Sequence, residues 1–195
     1  MMKNKCKIKI GFFAVIMLIC LLAYSPDYFP ALTCSVIIHE AGHVAMARLL
    51  GIRLYELRLG IFGAALSPQN LLYSYKDEIA LCLGGPLFNF ASAAFIGVVF
   101  TNTELFELFV ASSIALGALN MLPIIGFDGG RILYALICAT ASVRTAEIIS
   151  KLISFIFIFV IWSFSVYLLL RTGASVGAYV FSISLFAKIF LPHEV

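Results

Sequence analysis

Two of the three histidines in this chain stand four residues apart around a glutamate, in His39-Glu40-Ala41-Gly42-His43. On a helix, positions i and i+4 share a face, so both imidazoles can grip one metal ion. Glu40 is placed to act as the base toward a metal-activated water. The residues on either side, 31–38 and 44–50, are mostly apolar, with Arg48 the only charge. The chemistry implied is zinc-dependent hydrolysis in an apolar setting. One Zn2+ per chain is expected, with His39 and His43 as ligands and Glu40 as the catalytic residue.

Two histidines leave a catalytic zinc one protein ligand short. The strongest candidate for the third lies in Asn120-Met121-Leu122-Pro123-Ile124-Ile125-Gly126-Phe127-Asp128-Gly129-Gly130-Arg131. Pro123 and Gly126 predict that a helix breaks there. A carboxylate among so many apolar residues is costly, and such residues usually face a partner or a polar cavity. Asp128 is therefore expected as a ligand; the alternative makes it the N-cap of a helix starting near Arg131. His193, in Leu191-Pro192-His193-Glu194, reads as a solvated tail residue rather than a ligand. Asn89 follows Gly84-Gly85-Pro86-Leu87-Phe88 in another apolar run, where a carboxamide needs a partner. It could bind an active-site group or a substrate backbone, or join two helices, and it is counted among the substrate-binding candidates. For the glycines and proline before it, a kink or a close helix contact is the plain expectation.

The elements that must position these groups are membrane helices. The chain has 195 residues, of which 63% are hydrophobic and 12% charged. Soluble chains hold about 45–50% apolar and about 25% charged residues. A helix needs roughly 20 apolar residues to cross a bilayer. Six candidate spans are read near 8–24, 31–50, 79–100, 105–122, 148–170 and 174–191. Lys3, Lys5, Lys7 and Lys9 before the first resemble a signal-peptide n-region, but no small-x-small cleavage site is obvious, so a retained helix is expected. An N-terminus in the cytoplasm puts Lys3 to Lys9, Arg48, Arg53, Arg58, Lys76, Arg131, Arg144 and Lys188 on or near the inner side. Asp27, Glu104, Glu107 and Arg171 then face outward, in agreement with the positive-inside rule. Both termini and the active site are thus expected toward the cytoplasm, in a multi-pass protein of the cell membrane. Loop placement accounts for the net charge of +3, and no nucleic-acid partner is implied.

Between the second and third spans the character changes. Leu57, Leu59 and Ile61 alternate with Arg58 and Gly60, which predicts strand rather than helix over part of Gly51 to Gln69. Asp77 and Glu78 suit the N-terminus of the third span. The five cysteines form no CxxC pair, so neither a disulfide framework nor a cysteine-zinc site is expected. The fold class expected is an α-helical polytopic membrane protein of about six spans, with a short membrane-associated β-hairpin after the histidine helix. One domain, 1–195, is expected, with its core at 31–140.

With His39-Glu40-x-x-His43, Gly85-Pro86-Leu87 and Asn120-x-x-Pro123…Asp128-Gly129-Gly130 in order, the chain resembles the site-2 protease family of intramembrane zinc metalloproteases. Within it, the sporulation branch is the most similar. The resemblance implies His39, His43 and Asp128 as zinc ligands, Glu40 as the catalytic carboxylate, and Asn120 near the active site or substrate. It implies a membrane-tethered protein substrate, such as an inactive sigma factor precursor, along with inhibitory membrane partners and homo-oligomers. Many relatives carry a second proline and an apolar residue just before the aspartate, where this chain has Ile125-Gly126-Phe127. Neither a PDZ module nor a C-terminal CBS domain is expected. Two other readings compete: a membrane zinc peptidase acting on prenylated or misfolded proteins, and a non-catalytic metal-binding scaffold. The first usually takes a glutamate from another helix as third ligand, and the second has no need of Glu40.

Overall fold

The computed structural model describes residues 7–10, 27–52, 54–60, 63–68, 74–100, 103–172, 179 and 181–186. They fall into two compact units, Met1–Met121 and Leu122–Val195. The first holds a small sheet and three helices: β1 (Lys7–Ile10), α1 (Tyr28–Leu49), β2 (Leu54–Gly60), β3 (Gly63–Pro68), α2 (Tyr75–Val99) and α3 (Glu104–Asn120). The second holds α4 (Asp128–Thr140) and α5 (Val143–Thr172).

Helix α1 buries Ala31, Ser35, His39, Gly42, His43 and Ala47, a stripe at spacings of three and four. This stripe meets α2 and α3, which also pack on each other. Two small-residue contacts set the crossings. A Cβ on Gly42 would overlap the carbonyl oxygen of Gly84, and one on Gly84 would lie 2.7 Å from the carbonyl oxygen of Gly42. The backbones of α1 and α2 therefore touch where only glycine fits. Across from them, Ser35 Oγ donates to the Ala31 carbonyl at 2.9 Å and lies 2.9 Å from Ser113 Oγ of α3. A hydroxyl carries one hydrogen, so Ser113 is the donor between the two. Both serines are fully buried, and each finds a partner that an apolar interior would otherwise deny it.

Helix α2 opens with a capping box: Ser74 Oγ accepts from Asp77 N–H, and Asp77 Oδ2 accepts from Ser74 N–H. The acidic pair Asp77-Glu78 thus lies inside the first turn. The segment expected as strand contains β2 and β3, paired antiparallel with Gly60 opposite Gly63. β1 adds to β2 in parallel, with Lys7 opposite Glu56. Parallel neighbours need a long crossover connection, and α1 lies within this one.

The span reading needs correction at its start. Ile8, Lys9 and Ile10 belong to β1 and are not the first turn of a helix. Alternating lysine and isoleucine has the period of a strand, which outweighs the apolar run that follows. Residues 11–24, most of the last expected span and His193 lie outside the described residues. By length and composition, two described helices are apolar enough to cross a membrane: Tyr75–Val99 and Val143–Arg171. Helix α5 leaves Ile148, Leu152, Phe159, Val160, Phe164 and Leu170 at least half exposed. In water such a face would be an aggregation site, whereas lipid solvates it.

One element escaped the span count. Helix α4 has 13 residues, about 20 Å at 1.5 Å per residue, too short to cross. It starts at Asp128 with Phe127 as N-cap, so Asp128 is the first helical residue and not the cap.

Candidate metal centre

His39 and His43 sit one turn apart on α1, both buried, at 5% and 3% exposure. Their rings meet edge to face, centroids 4.8 Å apart. The two Nε2 atoms are 3.2 Å from each other. Two zinc–nitrogen bonds of about 2.0–2.1 Å at a tetrahedral angle place their nitrogens about 3.4 Å apart. The pair is thus set at the spacing a shared zinc requires. His43 Nδ1 lies 2.8 Å from the Leu81 carbonyl oxygen, to which it donates when Nε2 carries the lone pair. Leu81 belongs to α2, so a backbone carbonyl of the neighbouring helix offers His43 a lone pair.

The wall facing the imidazoles is Gly85. A Cβ there would come 2.5 Å from His43 Nε2 and 2.7 Å from both Cε1 and Nε2 of His39. Space for donor atoms exists at this point because glycine supplies no side chain. The sequence offered Gly84-Gly85 as a sign of close contact, which Gly84 meets against Gly42. The second glycine's facing of two imidazoles was missed, and only the partner helix could have disclosed it. Asn89, one turn beyond, is fully buried, and its Nδ2 lies 3.2 Å from His39 Nδ1. The structure therefore brings His39, His43, Gly85 and Asn89 together. Glu40 is half-buried on the next position of the same turn.

Asn120 is half-buried at the end of α3, and its amide donates to the Leu116 carbonyl of its own helix at 3.0 Å. Among the described residues, Cys34, Cys82 and Cys138 form no disulfide.

In the second unit, Asp128 is buried and opens α4 behind a fixed turn. Phe127 N–H donates to the Ile124 carbonyl at 2.9 Å, and Gly126 has φ +96°. This is a type II turn, which needs a residue tolerant of positive φ at its third position. Ser154 of α5 fixes it from outside: its Oγ accepts from Ile125 N–H at 2.9 Å and donates to the Pro123 carbonyl at 3.4 Å. These bonds supply rigidity that a second proline would otherwise give.

Gly130 is as constrained as Gly126, for a different reason. A Cβ on it would overlap the Ile124 carbonyl oxygen and lie 2.5 Å from that carbonyl's carbon. Gly130→Ala should cost about 1–3 kcal/mol through overpacking, read as a lowered thermal unfolding midpoint in detergent. An unchanged midpoint would mean that the turn has room to give.

A histidine pair around a glutamate on a helix is the signature of zinc peptidases, and here it lies among apolar helices. Residues 28–104 and 101–164, together more than half the chain, match the family model of peptidase family M50. The chain belongs to that family, the site-2 proteases.

Among its relatives is stage IV sporulation protein FB of Bacillus subtilis, 30% identical over 137 residues, which are 66% of this chain and 48% of that protein. A zinc metalloprotease of Methanocaldococcus jannaschii is 27% identical over 116 residues, 56% of this chain and 34% of that one. The chain thus spans about half the length of one relative and about a third of the other. The solved structure of a site-2 protease from Methanocaldococcus jannaschii superposes with a TM-score of 0.66 at 19% identity, covering 93% of this chain and 88% of that one. That likeness establishes the fold.

Proposed function

We propose that the chain is a zinc endopeptidase of the membrane that cleaves a peptide bond in or near a membrane segment of a tethered regulatory protein. The observation that carries this reading is the 3.2 Å Nε2–Nε2 separation of two buried imidazoles on an apolar helix, with glycine opposite. His39, His43 and Asp128 hold one zinc ion, since two imidazoles and a carboxylate are a donor set zinc accepts. Zinc, when bound, polarises the scissile carbonyl and acidifies water. Glu40 takes the proton of the attacking water on a carboxylate oxygen. It returns that proton to the amide nitrogen as the peptide bond breaks. Asn120 lies near the substrate, as Asn89 would if its amide also reached it. Strand addition at the β3 edge of the β2–β3 hairpin would hold a substrate extended, with its carbonyls out of helical hydrogen bonds.

Within this reading, the substrate is a membrane-tethered precursor such as an inactive sigma factor in sporulation. The similarity to a sporulation protein supports that choice. The layout is six spans with both termini and the site toward the cytoplasm, in one catalytic domain, supported by the distribution of lysine and arginine.

The test compares new protein N-termini in membranes holding equal amounts of the wild type or of Glu40→Gln. Termini unique to the wild type, within or beside a membrane segment, are expected and would name the substrate. Identical profiles with zinc bound in both proteins would favour a metal-binding scaffold instead. The ligand set has its own check. Asp128→Ala should lower bound zinc from one per chain toward none, measured by elemental analysis of purified protein. Full occupancy in that variant would move the third ligand elsewhere.

A further inference from the structure

The side-chain amide of Asn89 is fully buried, with Nδ2 3.2 Å from His39 Nδ1. Its Oδ1 has no hydrogen-bond partner among the described residues. Oxygen and nitrogen of a carboxamide have nearly the same shape, so the hydrogen-bond network decides which one faces His39.

Two proton arrangements satisfy the contacts among Asn89, His39, His43 and Leu81. In the first, Asn89 N–H donates to His39 Nδ1, and His39 Nε2–H donates to His43 Nε2 at 3.2 Å. His43 Nδ1–H then donates to the Leu81 carbonyl at 2.8 Å. This chain of donors runs in one direction and leaves no room for a cation, because a proton lies between the two Nε2 atoms. In the second, both Nε2 atoms present lone pairs to a metal. The proton of His39 must then sit on Nδ1, where it needs an acceptor. The amide nitrogen of Asn89 cannot accept it, but the amide oxygen can.

We propose that Asn89 is a positioning residue whose side-chain amide turns over when metal binds. Its N–H faces His39 Nδ1 when no metal is bound, and its C=O accepts from His39 Nδ1–H when one is. Each imidazole keeps one proton throughout, and only the position of the His39 proton changes. The inference rests on the reading of His39 and His43 as metal ligands. It gives Asn89 a task on the ligand's far side, where such partners fix the tautomer and ring orientation.

The test uses the full chain in detergent, with 15N-labelled histidine and Zn2+ as the only addition. On saturation, the His39 signals should move from the Nε2–H to the Nδ1–H pattern, while His43 stays Nδ1–H. A His39 tautomer that is the same with and without zinc overturns the inference. Zn2+ affinity by competition supplies a second readout. Asn89→Leu should weaken it about 10- to 100-fold. Asn89→Asp, which keeps an acceptor toward Nδ1–H, should restore it to within a few-fold of the wild type. Wild-type affinity in Asn89→Leu, or an equal loss in Asn89→Asp, also overturns the inference. A wild-type chain that binds no Zn2+ at His39 and His43 removes the metal reading itself, an outcome distinct from both.

Discussion

Glu40→Gln should slow peptide cleavage by at least about 100-fold and leave bound zinc at one per chain. The substitution keeps size and shape but removes the group that accepts a proton. General acid–base groups contribute about 100- to 10,000-fold, so a loss in that range is expected. Glu40 lies on the same turn as His39 and His43 but faces a different direction, about 100° around the helix from His39. Metal content should therefore not follow activity downward. Single-turnover cleavage of a membrane-tethered substrate, with zinc measured on the same sample, checks both halves. Cleavage within a few-fold of the wild type would remove Glu40 from the reaction. Loss of zinc together with cleavage would make it a ligand or a support for one.

Gly85→Ala should have the second largest effect, and by a different route. Its methyl group would arrive 2.5–2.7 Å from the ring atoms of both histidines. Neither ring can swing aside, because both are buried and their Nδ1 atoms are engaged at Leu81 and Asn89. Either the imidazoles lose their common focus or α2 moves off α1, and the latter is opposed by the contact of Gly42 with Gly84. Zinc affinity should fall by at least the 10- to 100-fold typical of a disturbed ligand shell. Overpacking should cost about 1–3 kcal/mol of stability as well. Gly97→Ala on the same helix is the control, since its Cβ would meet only Val110 Cγ2 at 3.8 Å. Equal zinc affinity in the Gly85→Ala protein would show that the glycine does not wall the site.

How much of this was readable in the chain differs from residue to residue. The histidine pair was legible because a helix repeats its face every three to four residues, and nothing beyond α1 is needed to bring those rings together. The strands were legible through alternation, although the pairing of β1 with β2 was not. That pairing joins segments almost fifty residues apart, and local pattern carries no information about it. Helix α4 was partly hidden, because a span count weighs length and apolarity and α4 is short and carries Arg131. Asn89 and Gly85 were visible as unusual residues in an apolar run, and binding an active-site group was one of three readings open for Asn89. Neither that choice nor the facing of Gly85 could be made from the sequence. Both are set by α1, more than forty positions upstream, whose approach depends on the Gly42–Gly84 contact.

The serine that holds the turn before Asp128 also gauges depth in the bilayer. Arg144, Glu147 and Lys151 occupy the first turns of α5, and uncharged residues run from Leu152 to Leu170. At 1.5 Å per residue that run is about 28 Å long, close to the hydrocarbon thickness of a bilayer. Ser154 stands two residues inside the edge of that run, about 3 Å along the helix axis. The Pro123 carbonyl and Ile125 amide bonded to that hydroxyl are held at the same level. A hydrolytic reaction in a membrane has to draw its water from somewhere. On the function proposed above, a turn held at that level sets the Asp128 carboxylate near the wet margin of the lipid, where the supply is short-range.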